Sequence, residues 1–112
     1  MGYDVMIGDW DGNYTHNSLG KLCYNHLDKE DGLKSLNGKT GREASAMLET
    51  FWESVHCEKL HLWQNGIPGE PKLSEKYDSP NGWGSLIGSL IFMGELTAAC
   101  RNYPRRKVSV CA

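Results

Sequence analysis

Tyr3, Val5 and Ile7 alternate with Asp4 and Met6 ahead of Gly8, and this period of two predicts a half-buried strand at the start of the chain. Gly8 to Asn13 concentrates Gly, Asp and Asn, residues whose backbone freedom and side-chain hydrogen bonds favour turns, so a loop is expected there. Leu19, Leu22, Cys23, His26 and Leu27 then recur at three- and four-residue intervals. They predict a helix started by Asn17 or Ser18 and ending near Asp28 to Asp31. Leu33 and Leu36 flank a short turn before Gly38.

Thr40 and Glu43 stand in the positions of a capping box, in which each residue satisfies the other's free amide at a helix start. Ala44, Met47, Leu48, Phe51, Trp52 and Val55 follow on one face, predicting a central helix from Gly41 to His56. From Glu58 to Pro80 the pattern weakens. Leu60 and Leu62 alternate briefly, Asn65-Gly66 offers a turn, and Pro68, Pro71 and Pro80 oppose helix, so a long connection with one short strand is expected. A last helix, started by Ser79 or Asn81, carries apolar residues from Trp83 through Leu86, Ile87, Leu90 and Ile91 to Cys100, and Tyr103-Pro104 closes it. Val108 and Val110 alternate with polar neighbours in Lys107 to Cys111 as a final strand does. The simplest arrangement is one α+β domain over 1–112, its terminal strands paired in a small sheet and about three helices on one face.

The composition agrees with a packed domain: of 112 residues, 39% are hydrophobic and 23% charged, unlike the composition of disordered chains. A formal net charge of -2 removes any general attraction to nucleic acid or anionic membranes. The opening MGYDVMIGDWDGN is acidic where a signal peptide is basic, and the apolar stretch from Trp83 to Gly94 falls short of the roughly 20 residues that span a bilayer. A cytoplasmic protein without membrane contact is expected, with Cys23, Cys57, Cys100 and Cys111 as free, mostly buried thiols.

Candidate chemistry is incomplete at each place it arises. Asp9, Asp11 and Asn13 begin like a calcium loop, but Tyr14 and Gly20 occupy the positions that need glycine and a bidentate glutamate. The same strand followed by D-x-D-G is similar to the first motif of haloacid-dehalogenase-type phosphatases, where Asp9 would attack phosphorus and Asp11 handle the leaving-group proton. Asn13 departs from that motif, and the chain is short for that fold. His56, Cys57 and His61 bring metal-binding side chains close together but lack a fourth ligand for tetrahedral zinc. His26, on an apolar helix face, is expected to be hydrogen-bonded and half-buried, and Arg101, Arg105, Arg106 and Lys107 form a basic cluster at a helix end. Neither metal nor cofactor is expected.

YDVMIG followed by NYTHN near the start, and NGWGSLIGSL leading to AACRNYPRRKVSV at the end, resemble small uncharacterised proteins encoded by phages and prophages. The likeness spans about half the chain, both termini, and leaves Cys57 to Lys76 outside it. It implies a compact protein acting in a bacterial host cell against host machinery. On that basis the expected function is non-enzymatic: a protein-binding inhibitor of a bacterial anti-phage defence system, such as an anti-CRISPR. Candidate contact residues are Trp10, Asp11, Tyr14, Trp63, Tyr77, Trp83, Arg105 and Arg106, since aromatic and arginine side chains give large contact area. Two alternatives remain: a sponge for a nucleotide-like signal using the Gly8 to Asn17 loop, Trp83 and Arg105 to Lys107, and a small metal-dependent phosphohydrolase using Asp9 and Asp11. The wide apolar last helix also leaves room for a homodimer.

Overall fold

The computed structural model describes residues 2–65, 76–79 and 84–111, with the side chains of 16 and 59–65 outside the description. Strand β1 (Gly2–Ile7) turns through Gly8 and Asp9 into β2 (Trp10–Thr15), and β3 (Ser109–Cys111) closes the other edge. The strand order is β2-β1-β3 with both pairings antiparallel, which settles the direction of the terminal pairing: Val5 lies opposite Val110 and Asp4 opposite Cys111. Tyr3, Val5 and Ile7 point into the core, while Asp4 and Met6 face solvent.

The segment expected to be a loop is therefore mostly strand β2. Its turn needs Gly8, whose φ of 57° is left-handed and whose missing side chain leaves room for the Tyr103 ring. Further along, Gly12 is opposite Val5 with the Trp10 ring packed over it, so the absence of a side chain there is filled by an aromatic neighbour.

Helix α1 (His16–His26) begins at Thr15, earlier than the expected caps Asn17 and Ser18, and ends at Leu27. A 3-10 turn (Gly32–Leu36) buries Leu33 and Leu36. Helix α2 (Gly41–Asn65) starts as expected: the Glu43 N–H donates to Thr40 Oγ1 at 3.2 Å and the Thr40 N–H to Glu43 Oε1 at 3.0 Å. Two more first-turn amides, of Gly41 and Arg42, donate to the carbonyls of Arg106 and Pro104 at 2.8 and 3.0 Å. The chain leaving the last helix thus takes up donors that α2 cannot satisfy itself.

Helix α2 runs to Asn65, so neither the stop at His56 nor a short strand through Leu60 and Leu62 is found. The alternation of two leucines is equally compatible with a helix, and no proline precedes Pro68 to stop one. Helix α3 (Leu86–Asn102) starts at Ser85 instead of Ser79, while Asn81 lies outside the described residues. Ser85 Oγ accepts the Gly88 N–H at 3.0 Å and Asp78 Oδ1 accepts the Leu86 N–H at 2.7 Å. Tyr103 is the C-cap, as the Tyr-Pro pair predicts. The core lies between the inner face of the sheet and the helices, with Leu19, Leu22, Phe51, Met93 and Leu96 fully buried. Each such side chain contributes about 1.5–3 kcal/mol. Among the described residues, no helix is long and apolar enough to cross a membrane.

Candidate functional site

Two places stand out: a polar cluster where α1, α2 and residues 76–79 meet, and the outer face of α2 and α3. In the cluster, Ser54 and Glu58 are one helical turn apart on α2 and both reach His26 at the end of α1. His26 Nδ1 is 2.6 Å from Ser54 Oγ, and Nε2 contacts the Glu58 carboxylate and lies 3.0 Å from the Tyr77 hydroxyl. A carboxylate at Nε2 requires the hydrogen there in either charge state of the ring, and Nδ1 accepts from Ser54 only in the neutral one. Tyr77, 1% exposed, donates to Glu58 Oε2 at 2.9 Å and accepts from Asn25 Nδ2 at 3.0 Å. Lys76 Nζ reaches Glu58 Oε1 at 2.8 Å.

Burial pushes the Glu58 carboxyl up, but the hydrogen bonds from Lys76 and Tyr77 and the nearby charges of His26 and Lys76 outweigh it and hold the group below its ordinary range. Burial raises Tyr77, with the Asn25 hydrogen bond opposing and the Glu58 carboxylate adding to the rise. The hydroxyl therefore stays protonated and able to donate.

Ser54, His26 and Glu58 are connected in the order of a nucleophile, a base and an orienting carboxylate. Acyl transfer further requires free donors around a reacting carbonyl oxygen. Ser54 lies within α2, where main-chain amides bond the preceding turn, and the donors of Asn25, Tyr77 and Lys76 are directed at partners inside the cluster. The arrangement fastens three segments together. The expectation of a hydrogen-bonded, half-buried His26 agrees with this geometry. Its partners Ser54 and Glu58 carry no such signal in the sequence, because Glu58 lies beyond the expected helix end at His56, and only the longer α2 places the two one turn apart.

The second place is a groove of about 440 Å³ between α2 and α3, walled by Glu49, Glu53 and Arg101 and lined by Trp52, Gly94 and Ala98. Trp52 is held in place by a 3.0 Å hydrogen bond from Nε1 to Thr97 Oγ1, which itself donates to the Met93 carbonyl at 2.7 Å. Beside the groove on α3, Ile87 and Ile91 are 69% and 59% exposed, one turn apart. Among the described residues, no heavy atom beyond the helix's own backbone and Gly94's chain neighbours lies within 4 Å of where a side chain on Gly94 would begin.

Among the described residues, those singled out by sequence do not converge on one site. Trp10 and Tyr14 pack half-buried on Phe92, with ring centroids 6.0 and 6.2 Å away, and Tyr77 is part of the polar cluster. Asp9 is exposed in the hairpin turn, and Asp11 is exposed on β2 opposite Met6. The hairpin takes the place of the strand-to-helix crossover that the phosphatase motif requires. Arg105 and Arg106 are exposed in the turn after α3, while the side chain of Trp63 and all of Trp83 lie outside the described residues. Among the described residues, no three His, Cys, Asp or Glu side chains gather as metal ligands. His61 is outside the described side chains. Cys23 and Cys100 are buried, and burial pushes their thiols up to about 12 and about 11, whereas Cys57 and Cys111 are exposed.

No family model, no curated protein and no solved structure matches this chain.

Proposed function

We propose that this chain is a non-enzymatic binding protein that acts through protein–protein contacts, with the outer face of α2 and α3 as a contact surface. The observation that carries the reading is the pair Ile87 and Ile91, exposed on successive turns beside a groove lined by Trp52. Covering two such side chains is worth about 1.5–3 kcal/mol each, and apolar residues clustered on one face mark interaction sites more than scattered ones do. The likeness of both termini to small phage proteins supports the wider reading, a host-directed inhibitor of a bacterial defence system such as an anti-CRISPR. Among the described residues, no assembled side chains give comparable support to the nucleotide-sponge and phosphohydrolase alternatives.

The test is capture on tagged protein, from bacterial lysate and from cells that also express an untagged copy, using wild type and the double variant Ile87→Asp, Ile91→Asp. A stoichiometric protein, host polypeptide or untagged copy, is expected on the wild type and absent from the variant while circular dichroism stays unchanged. Retention by both proteins alike would move the contact to another face. A wild type that retains no protein would refute the reading.

A further inference from the structure

We propose that the outer face of α3 receives a second copy of this chain, with the two α3 helices packed antiparallel across a two-fold axis. This rests on the reading of that face as a protein-contact surface and names its occupant. A host target would then bind elsewhere on the two-fold particle.

The argument starts from the order of side-chain sizes along the exposed stripe of α3. Ile87, Ile91, Gly94, Ala98 and Arg101 are all exposed and recur at three- and four-residue intervals, which places them in one line along the helix. The N-terminal half of that line is bulky and the C-terminal half is small. A parallel two-fold pair would set isoleucine against isoleucine and leave glycine facing glycine. An antiparallel pair with its axis between Phe92 and Met93 sets Ile91 against Gly94 of the second copy and Ile87 against its Ala98. Every ridge then meets a depression, as interdigitating layers require.

The depression is real on each copy. Among the described residues, open space lies before the Gly94 position, and the groove continues over Ala98 and Trp52. A two-fold axis uses such a relation twice, because residue i meets j and j meets i. Helices lacking side chains at the crossing can also approach closely, and antiparallel macrodipoles attract.

Charge gives an independent indication of the same register. Arg101 is exposed at the C-terminal end of the stripe, and Asp78 is exposed at the N-terminal end of α3, fixed there by the Leu86 N–H at 2.7 Å. The register that opposes Ile91 with Gly94 brings Arg101 of one copy to the helix end that carries Asp78 on the other. Size and charge therefore favour the same pairing, although they involve different residues.

The deciding experiment is sedimentation equilibrium of the full chain, wild type against Ile91→Glu and Gly94→Leu. Wild type is expected to show a reversible equilibrium between the 12.5 kDa monomer and a species of twice that mass. Each variant should weaken it by about 30-fold or more. Gly94→Leu separates assembly from folding: leucine is the better helix former and has space within the monomer, so its monomer should melt no lower than wild type while the dimer is lost. In a background of Cys57→Ser and Cys111→Ser, mixed Ile91→Cys and Gly94→Cys proteins should form the mixed disulfide. Disulfides between two copies of Ile91→Cys would overturn the register. A wild type that stays 12.5 kDa at hundreds of micromolar would overturn the dimer. If that monomer still captured a host protein through Ile91, the contact-surface reading would survive without the dimer; if it captured nothing, both would fail.

Discussion

At its N-terminal end α2 is fastened by its own capping box and by the main-chain carbonyls of Pro104 and Arg106, whereas near Glu58 it is fastened by side chains of α1 and of residues 76–79. The first attachment depends on close approach of backbones, which only a residue without a side chain allows at Gly41. The second depends on a carboxylate remaining ionised among three partners, His26, Lys76 and Tyr77. One end should therefore be sensitive to volume and the other to pH.

The largest effect is expected from Gly41→Ala. A Cβ there would run into the main-chain carbonyls of Tyr103 and Cys100, neither of which can move without shifting the end of α3. We expect a loss of about 3 kcal/mol in chemical denaturation, with no dependence on pH between neutral and mildly acid conditions. An unaltered midpoint would show that the two backbones are not held as closely as the hydrogen bonds of Gly41 and Arg42 require.

Glu58→Gln comes next, at about 2 kcal/mol at neutral pH, because it weakens charge-assisted hydrogen bonds from Lys76 and Tyr77. The sign with pH follows from the lowered carboxyl. Stability from Glu58 is complete above the unfolded glutamate's range and is lost as pH falls through the lower, folded value. Thermal melts should bring wild type and variant together as the solution becomes more acid. A gap that is constant with pH would assign the cost to packing instead. The smallest effect is expected from Thr40→Ala, about 1 kcal/mol, which removes a single cap oxygen while leaving the Pro104 and Arg106 carbonyls in place. A loss as large as that of Gly41→Ala would mean that the capping box, and not the returning chain, holds this end.

The same contrast explains what could be read from sequence. The capping box spans four residues, and its chemistry is complete within them, so Thr40 and Glu43 disclosed the start of α2. Strands β1 and β3 were visible because Tyr3, Val5, Ile7 and Val110 alternate with polar or exposed neighbours. Strand β2 was not: Asp11, Gly12 and Asn13 have poor strand propensity, and Gly12 is suited to its place by the rings of Trp10 and Phe92. The polar cluster could not be assembled in advance because His26 and Ser54 are 28 residues apart and Tyr77 is 51 from His26. The apolar breadth of α3 is legible in the sequence, but that both of its isoleucines stay outside is decided by the way Phe92, Met93 and Leu96 turn inward.

The position of β1 between its two partners has a consequence for synthesis. The hairpin with β2 can form once residues 2–15 have left the ribosome, but the strand's other edge stays uncovered until Ser109–Cys111 arrive. While the residues between β2 and β3 are being made, the nascent chain therefore presents unpaired amides and carbonyls beside Val5, a template on which a stray strand could dock. The exposed charge of Asp4 on that strand is the means at hand to discourage a stray partner until β3 closes the edge.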